Sequence, residues 1–258
     1  MPFPRRIAGY LSEKRIPQSA ITIVHVTDPA KGDHVVPSQS FRFPPRPKGS
    51  LPILAIPPSD ESQDWTYIRQ SMPIIYYLEE ACAPGGQLAH LNARALIKGG
   101  DALERARIAE MLTLAEELLI SWKPVRSFGT AVGTLKYPAG AKEMLRWVKR
   151  TVAAVDKLLV DRDLGYLKDD TKTVSIAEIV LFHFFDFVEY CYGVDLTKGS
   201  GAVVKAVYGT ETQEEYTRLE EFYRNFKVRE SAKRDVEKGE LAASDVLKVM
   251  QSWHPGVL

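Results

Sequence analysis

Between Ser175 and Tyr192 the chain places Ile176, Ile179, Val180, Leu181, Phe182, Phe184, Phe185, Phe187 and Val188 so densely that nearly every face of a helix is apolar. A helix of that kind has no side to offer to water and belongs at the centre of a bundle. Its start is sharply written. Ser175 and Glu178 have the spacing of a capping box, and Val174 with Ile179 supplies the hydrophobic staple around it. Helices to surround it are present: residues 105–121 and 141–160 read as long amphipathic helices and 215–227 as a shorter one. The tail from Ser231 is charged and amphipathic and is expected to end loosely at Trp253-His254-Pro255-Gly256. His183, set among Phe182, Phe184 and Phe185, reads as a core histidine.

Upstream of Asp101 the pattern is mixed. Pro4 stands where a helix begins, with Ile7, Tyr10 and Leu11 on one face, and the helix runs to about Lys14 before Pro17 ends it. Residues 21–26 form a nearly continuous apolar run, which predicts a buried parallel strand. The polar, proline-rich stretch 28–48 reads as an irregular loop with at most one short helix. Strands are predicted over 53–56 and about 65–68, joined by the turn region Pro57-Pro58-Ser59-Asp60, and a helix over 72–82. Pro84-Gly85-Gly86 and Gly99-Gly100 mark 83–100 as a linker. The division expected is an α+β domain over 1–82, the linker, and an all-α domain over 101–258.

Composition narrows the function. Lys+Arg number 34 and Asp+Glu 33, so nothing suggests the basic stripe of a nucleic-acid binder. No apolar run approaches membrane-spanning length, and Met1-Pro2-Phe3-Pro4-Arg5-Arg6 lacks the apolar block of a signal peptide. Cys82 and Cys191 make neither a redox pair nor a metal cluster by spacing, and read as buried free thiols suited to a reducing cytoplasm. His25 and His34 have no ligand-spaced partner, so no metal is expected.

Three ordered segments carry a more specific message. The first is Pro47-Lys48-Gly49-Ser50-Leu51-Pro52-Ile53-Leu54, a turn that leads into a strand. The second is Gln70-Ser71-Met72-Pro73-Ile74-Ile75-Tyr76-Tyr77-Leu78, in which Ser71 is a natural N-cap. The helix terminus it opens presents free N–H groups and positive dipole, suited to a carboxylate. The third is Ser175-Ile176-Ala177-Glu178-Ile179. Together they resemble the cytosolic glutathione transferases, fungal and theta-, omega- or zeta-like members included. The resemblance implies a thioredoxin-like glutathione-binding domain followed by an all-helical substrate domain, in a cytoplasmic homodimer without metal.

It further implies that a cis proline at Pro52 turns the Leu51 backbone toward the cysteinyl part of glutathione. Ser71 and the N–H groups around it would take the γ-glutamyl carboxylate, and Gln70 the ligand's amino group. Ser50 stands at the glycine end, where Lys48 or Arg42 would substitute for a longer side chain. Phe3, Arg107, Met111 and Leu114 fall where an electrophile pocket is lined, although core or dimer contact serves the three helical positions equally well. The partners implied are glutathione and a small apolar electrophile.

Two departures bear on mechanism. Met1 falls where the family carries its catalytic Ser or Cys, and no first strand precedes it. The sheet is therefore expected to show a gap between the strands near Ile23 and Ile53, unless an upstream segment is missing from the chain, the sheet closes differently, or another segment fills the gap. Without the hydroxyl, the N-terminus of the first helix and the α-amino group of Met1 are left to favour a thiolate. The reading is a glutathione-dependent enzyme that adds the thiolate to an electrophile, in detoxification or natural-product tailoring. Reversible addition with net isomerisation, and a non-catalytic interaction module, stand as alternatives.

Overall fold

The structure is a computed structural model that describes residues 2–28, 33–35, 44, 47–58, 60, 64–96, 100–205, 211–234 and 243–258. It divides into two units, the first Met1–Leu96 and the second formed by Ile97–Arg234 with Leu241–Leu258.

Pro4 loses no hydrogen bond in the first turn of a helix, and α1 runs Pro2–Lys14, starting two residues before the predicted Pro4. In the first unit it lies parallel to α2, Ser71–Ala81. The pairs Arg6–Ser71, Tyr10–Ile75 and Lys14–Glu79 are each separated by 65 residues, so the two helices advance turn for turn in one register. Strand β1, His25–Asp28, pairs antiparallel with β2, Asp33–Val35, and β3, Ile53–Ile56, pairs antiparallel with β4, Thr66–Arg69. The parallel strand predicted over 21–26 is not formed. Ile23 is 43% exposed, and the regular strand starts at His25 and closes a local hairpin. A parallel strand needs a neighbour on the same sheet and cover on both faces. Among the described residues, β1 and β3 belong to separate two-stranded sheets with nothing hydrogen-bonded between them. The segment Phe41-Arg42-Phe43 lies outside the described residues.

A polar cluster sits between α1 and α2. The Lys14 ammonium is 1% exposed; it donates to Glu79 Oε1 at 2.7 Å and to the Arg94 carbonyl at 2.7 Å. Tyr10 donates its hydroxyl to the same carboxylate at 2.8 Å, and the Leu96 N–H reaches its other oxygen at 3.1 Å. Residues 83–96, read as linker from their glycines and prolines, are thus fastened to the first unit as far as Leu96. Cys82 is buried nearby, and burial pushes its thiol up, with Lys14 pulling the other way.

In the second unit α3 spans Ala102–Gly129, capped by Asp101, whose carboxylate accepts from the Glu104 N–H at 2.8 Å. It outruns the predicted 105–121 by passing through Pro124, where burial of Trp122 and Val125 compensates the lost backbone bond. Helix α4, Pro138–Leu158, returns antiparallel: Tyr137 N–H meets the Phe128 carbonyl at one end, and Thr151 donates to Glu117 farther along. Helix α5, Ile176–Tyr192, is buried along its length except at Glu189 and Tyr190. Its capping box is present, with the Ser175 Oγ accepting from Glu178 N–H at 3.3 Å and the Glu178 carboxylate accepting from Ser175 N–H at 2.6 Å. Helices α6, Thr217–Phe226, and α7, Ser244–Met250, complete the helical set. A hairpin of β5, Val203–Lys205, and β6, Glu211–Gln213, interrupts the all-helical expectation. Its strands are three residues each, too short to show an alternating pattern.

Two anchors in this unit were invisible in the sequence. Arg229, 0% exposed, donates to the carbonyls of Leu167, Asp169 and Lys172 at 3.0 Å each and lies over the Phe226 ring. The C-terminal segment, expected to end loosely, is stapled instead. Trp253 donates its indole N–H to the Tyr192 carbonyl at 2.9 Å and meets Trp122 edge-on, His254 N–H bonds the Gly129 carbonyl, and Val257 is buried. Large apolar side chains next to a tight Gly129 supply that contact, since a β-carbon there would stand 3.1 Å from Trp253 and Val257.

Glu214 gives the unit a pH dependence. Burial works against its ionisation, but Ser200, Lys149 and Tyr216 surround the carboxylate and hold its pKa below the usual value. A depressed folded pKa adds stability that is fully present above the unfolded value, about 4.3, and is lost as pH falls through the lower folded value. Glu214→Gln is expected to flatten the fall in urea midpoint below about pH 5. A variant with the wild-type acid slope would show that the carboxylate contributes nothing to it.

Candidate functional site

The antiparallel register of the β3–β4 hairpin decides where the sequence motifs meet. Ile53 stands opposite Arg69, so Pro52 and Leu51 leave the ladder at the end where the partner chain passes into Gln70 and Ser71. Two segments about twenty residues apart in the chain are thereby brought to one end of one hairpin.

On the first side, the Leu51-Pro52 peptide is cis. Among the described residues no hydrogen bond engages the Leu51 N–H or C=O, which leaves a short backbone edge unpaired. Before it, Gly49 has φ +138°, a conformation that favours glycine, and a β-carbon there would stand 4.0 Å from the Arg69 guanidinium carbon. Arg69 thus sits beside the exposed Lys48-Gly49-Ser50 segment, a cation that the sequence motif did not single out.

On the second side, the N-cap of α2 is Gln70, not Ser71, and it makes no side-chain cap bond. Gln70 is held at φ 73° and ψ 140°, sparsely populated for a residue with a side chain. Ser71 is the first helical residue, and its hydroxyl is engaged from behind: Arg6 Nη1 donates to Ser71 Oγ at 3.1 Å, both side chains being buried. Of the first N–H groups of α2, the third is missing because the residue is Pro73, and Ile74 already bonds the Gln70 carbonyl at 3.2 Å. The N–H groups of Ser71 and Met72 remain, with no partner among the described residues. A helix of eleven residues directs its positive end there.

Phe3 lies on α1 with its ring centroid 5.5 Å from the Arg6 guanidinium carbon. On α3, Arg107 is exposed, Leu114 half-buried and Met111 fully buried, although their spacing puts them on one face of the helix. Met1 and Arg42 lie outside the described residues. Cys191 is buried, with its thiol pushed up by burial. Among the described residues there is no group of His, Cys, Asp or Glu suited to a metal ion, and no helix long and apolar enough to cross a membrane.

No family model and no curated protein matches the chain. Among solved structures it is similar to TDR1 of Leishmania, a trimeric glutathione transferase, with a TM-score of 0.51 at 17% identity. The fold is that of a glutathione transferase. The alignment covers 97% of this chain and 46% of that one, so the chain spans about half the length of the protein it matches. In a glutathione transferase fold built this way, the free backbone groups of Leu51, Ser71 and Met72 stand at one end of the β3–β4 hairpin, at the start of α2.

Proposed function

We propose that the chain is a glutathione-dependent enzyme in which the Met1–Leu96 unit binds glutathione and the helical unit takes a small apolar electrophile. The observation that carries this reading is the set of unengaged backbone groups at the hairpin end. Leu51 offers an N–H and a C=O in the manner of an unpaired strand edge, and Ser71 with Met72 offers two N–H groups at a positive helix terminus. That set fits a ligand with a peptide-like middle and a carboxylate at one end. In this reading Gln70 meets the ligand's amino group, and Ser50, Lys48 and Arg69 its glycine carboxylate.

Bound glutathione supplies a thiol nucleophile. The chain's own part is to hold the peptide in one register, to orient it by its two carboxylates, and to favour negative charge at the N-terminus of α1. Phe3, Arg107, Met111 and Leu114 are the electrophile-facing residues of this reading, and conjugation, in natural-product tailoring, is its reaction. A cytoplasmic homodimer completes the reading.

Calorimetric titration of the full chain with glutathione tests it. Saturable binding is expected with a Kd of about 1 mM or tighter. No heat at about 10 mM ligand would end the enzyme reading, and binding without consumption of glutathione in the presence of electrophile would favour isomerisation.

A further inference from the structure

Toward the C-terminal end of α3 the helical unit gathers hydrogen-bond donors and leaves them without acceptors. Trp122 is 1% exposed, and its indole N–H has no partner among the described residues. A buried donor left unpaired is costly and calls for an acceptor. Arg126 stands one turn farther along the same face of α3. Its Nη1 donates to the Tyr192 hydroxyl at 3.4 Å, longer than such bonds usually are, and no carboxylate pairs with it among the described residues. Arg126 does not serve the end of its own helix, as an arginine in the last turn can. The carbonyls of Arg126, Phe128 and Gly129 accept from Thr130, Tyr137 and His254 instead.

Tyr192, also 1% exposed, accepts from Arg126, and its own hydroxyl hydrogen finds no acceptor among the described residues. Burial pushes its pKa up, with Arg126 pulling the other way, so the hydroxyl keeps that hydrogen at neutral pH. The Trp122 and Tyr192 rings meet edge-on at 5.5 Å, and Trp253 closes on both, 5.9 Å from Trp122 and 6.1 Å from Tyr192. Arg126 and Trp253 are half-buried, which gives this assembly an edge toward solvent.

We propose that the assembly binds the carboxylate of a small aromatic acid. A carboxylate is all acceptor and can take the Arg126 guanidinium and the Tyr192 hydroxyl together at the solvent edge. The Trp122 indole lies against the Tyr192 ring, in surroundings of low dielectric that strengthen each bond. Walls of Trp122, Tyr192 and Trp253 suit an aromatic body, which can meet them edge-on as they meet one another. The site is separate from the electrophile-facing residues, since Leu114 lies about 12 Å up the helix from Trp122. It does not depend on the glutathione reading.

The test titrates the isotope-labelled full chain with sodium benzoate, against sodium chloride at equal ionic strength. It is read on the Trp122 indole N–H resonance, which the Trp122→Phe variant assigns. Saturable movement of that resonance is expected, with a Kd of about 1 mM. Benzamide, similar in shape but uncharged, is expected to bind at least about 10-fold more weakly. Arg126→Gln is expected to weaken benzoate by about 10-fold and Tyr192→Phe by about 5-fold, with neither changing benzamide by more than about 2-fold. Tyr192→Phe keeps the ring and its packing, so it carries the test if the Arg126 variant does not fold. A Trp122 resonance that benzoate leaves unmoved at about 20 mM overturns the proposal. So does equal binding of benzamide, or a benzoate affinity that survives in both variants.

Discussion

Replacing Arg229 with methionine is expected to destabilise the helical unit by about 3–4 kcal/mol. The side chain is wholly buried, and its guanidinium is the shared partner of the Leu167, Asp169 and Lys172 carbonyls. Those carbonyls belong to the turn that delivers Ser175 and Glu178 to the start of α5. Removing the donor leaves the buried Leu167 carbonyl unsatisfied, at about 1–3 kcal/mol, and breaks the part-buried bonds to Asp169 and Lys172 as well. Lysine at the same position keeps the charge but has one nitrogen where three carbonyls must be reached, so it is expected to recover less than half. The nearby carboxylate is the control. Asp170 is about half exposed and 3.8 Å from Arg229, and Asp170→Asn is expected to cost under about 1 kcal/mol. Urea unfolding followed by circular dichroism separates these values. A loss below about 1.5 kcal/mol for the methionine variant would mean that the turn holds without its central donor.

The second large effect belongs to the first unit. Lys14→Met removes the buried ammonium that donates to the Glu79 carboxylate, whose side chain is only 10% exposed and also accepts from Tyr10 and the Leu96 N–H. Stranding one member of a buried pair costs about 3–5 kcal/mol, whereas replacing both members with apolar residues is far milder. The double variant Lys14→Met, Glu79→Leu is therefore expected to be more stable than the single Lys14→Met by about 1–2 kcal/mol, although Arg94 and Leu96 each lose a bond. Hydrogen exchange adds a local reading: the Leu96 amide should lose protection in the double variant and keep it in the single one. Additive losses in the two single variants would show that the pair is not coupled.

How much of this was legible differs from element to element, for physical reasons. Helix α5 was readable nearly to the residue because its signals are local: a capping box, a staple and apolar residues on all sides. Strand β3 and helix α2 were readable too, being bounded by prolines and by the Gln70-Ser71 entry. The run at 21–26 was misread because an apolar stretch fixes neither its partner nor its direction of pairing, and here pairing is with the next few residues. Arg6 was hidden for a similar reason. An arginine on an amphipathic helix looks like part of a solvated face, and only a serine 65 residues away shows that it is buried. Gln70 gives no sign of its positive φ, since a glycine would have been the residue to flag it. The free backbone groups at Leu51, Ser71 and Met72 lay within motifs already singled out. Their meeting at one hairpin end follows from a register that no short motif encodes.

The seam around Trp253 has a consequence for the order of assembly. Trp253, His254 and Val257 complete the packing around Trp122, Gly129 and Tyr192, and they follow Trp122 and Gly129 late in the chain. A domain assembles its core as its chain emerges, so the helical unit cannot close its aromatic seam until Trp253 has been made. A premature stop between Met250 and Trp253 would therefore yield a chain with every long helix present and that seam left open.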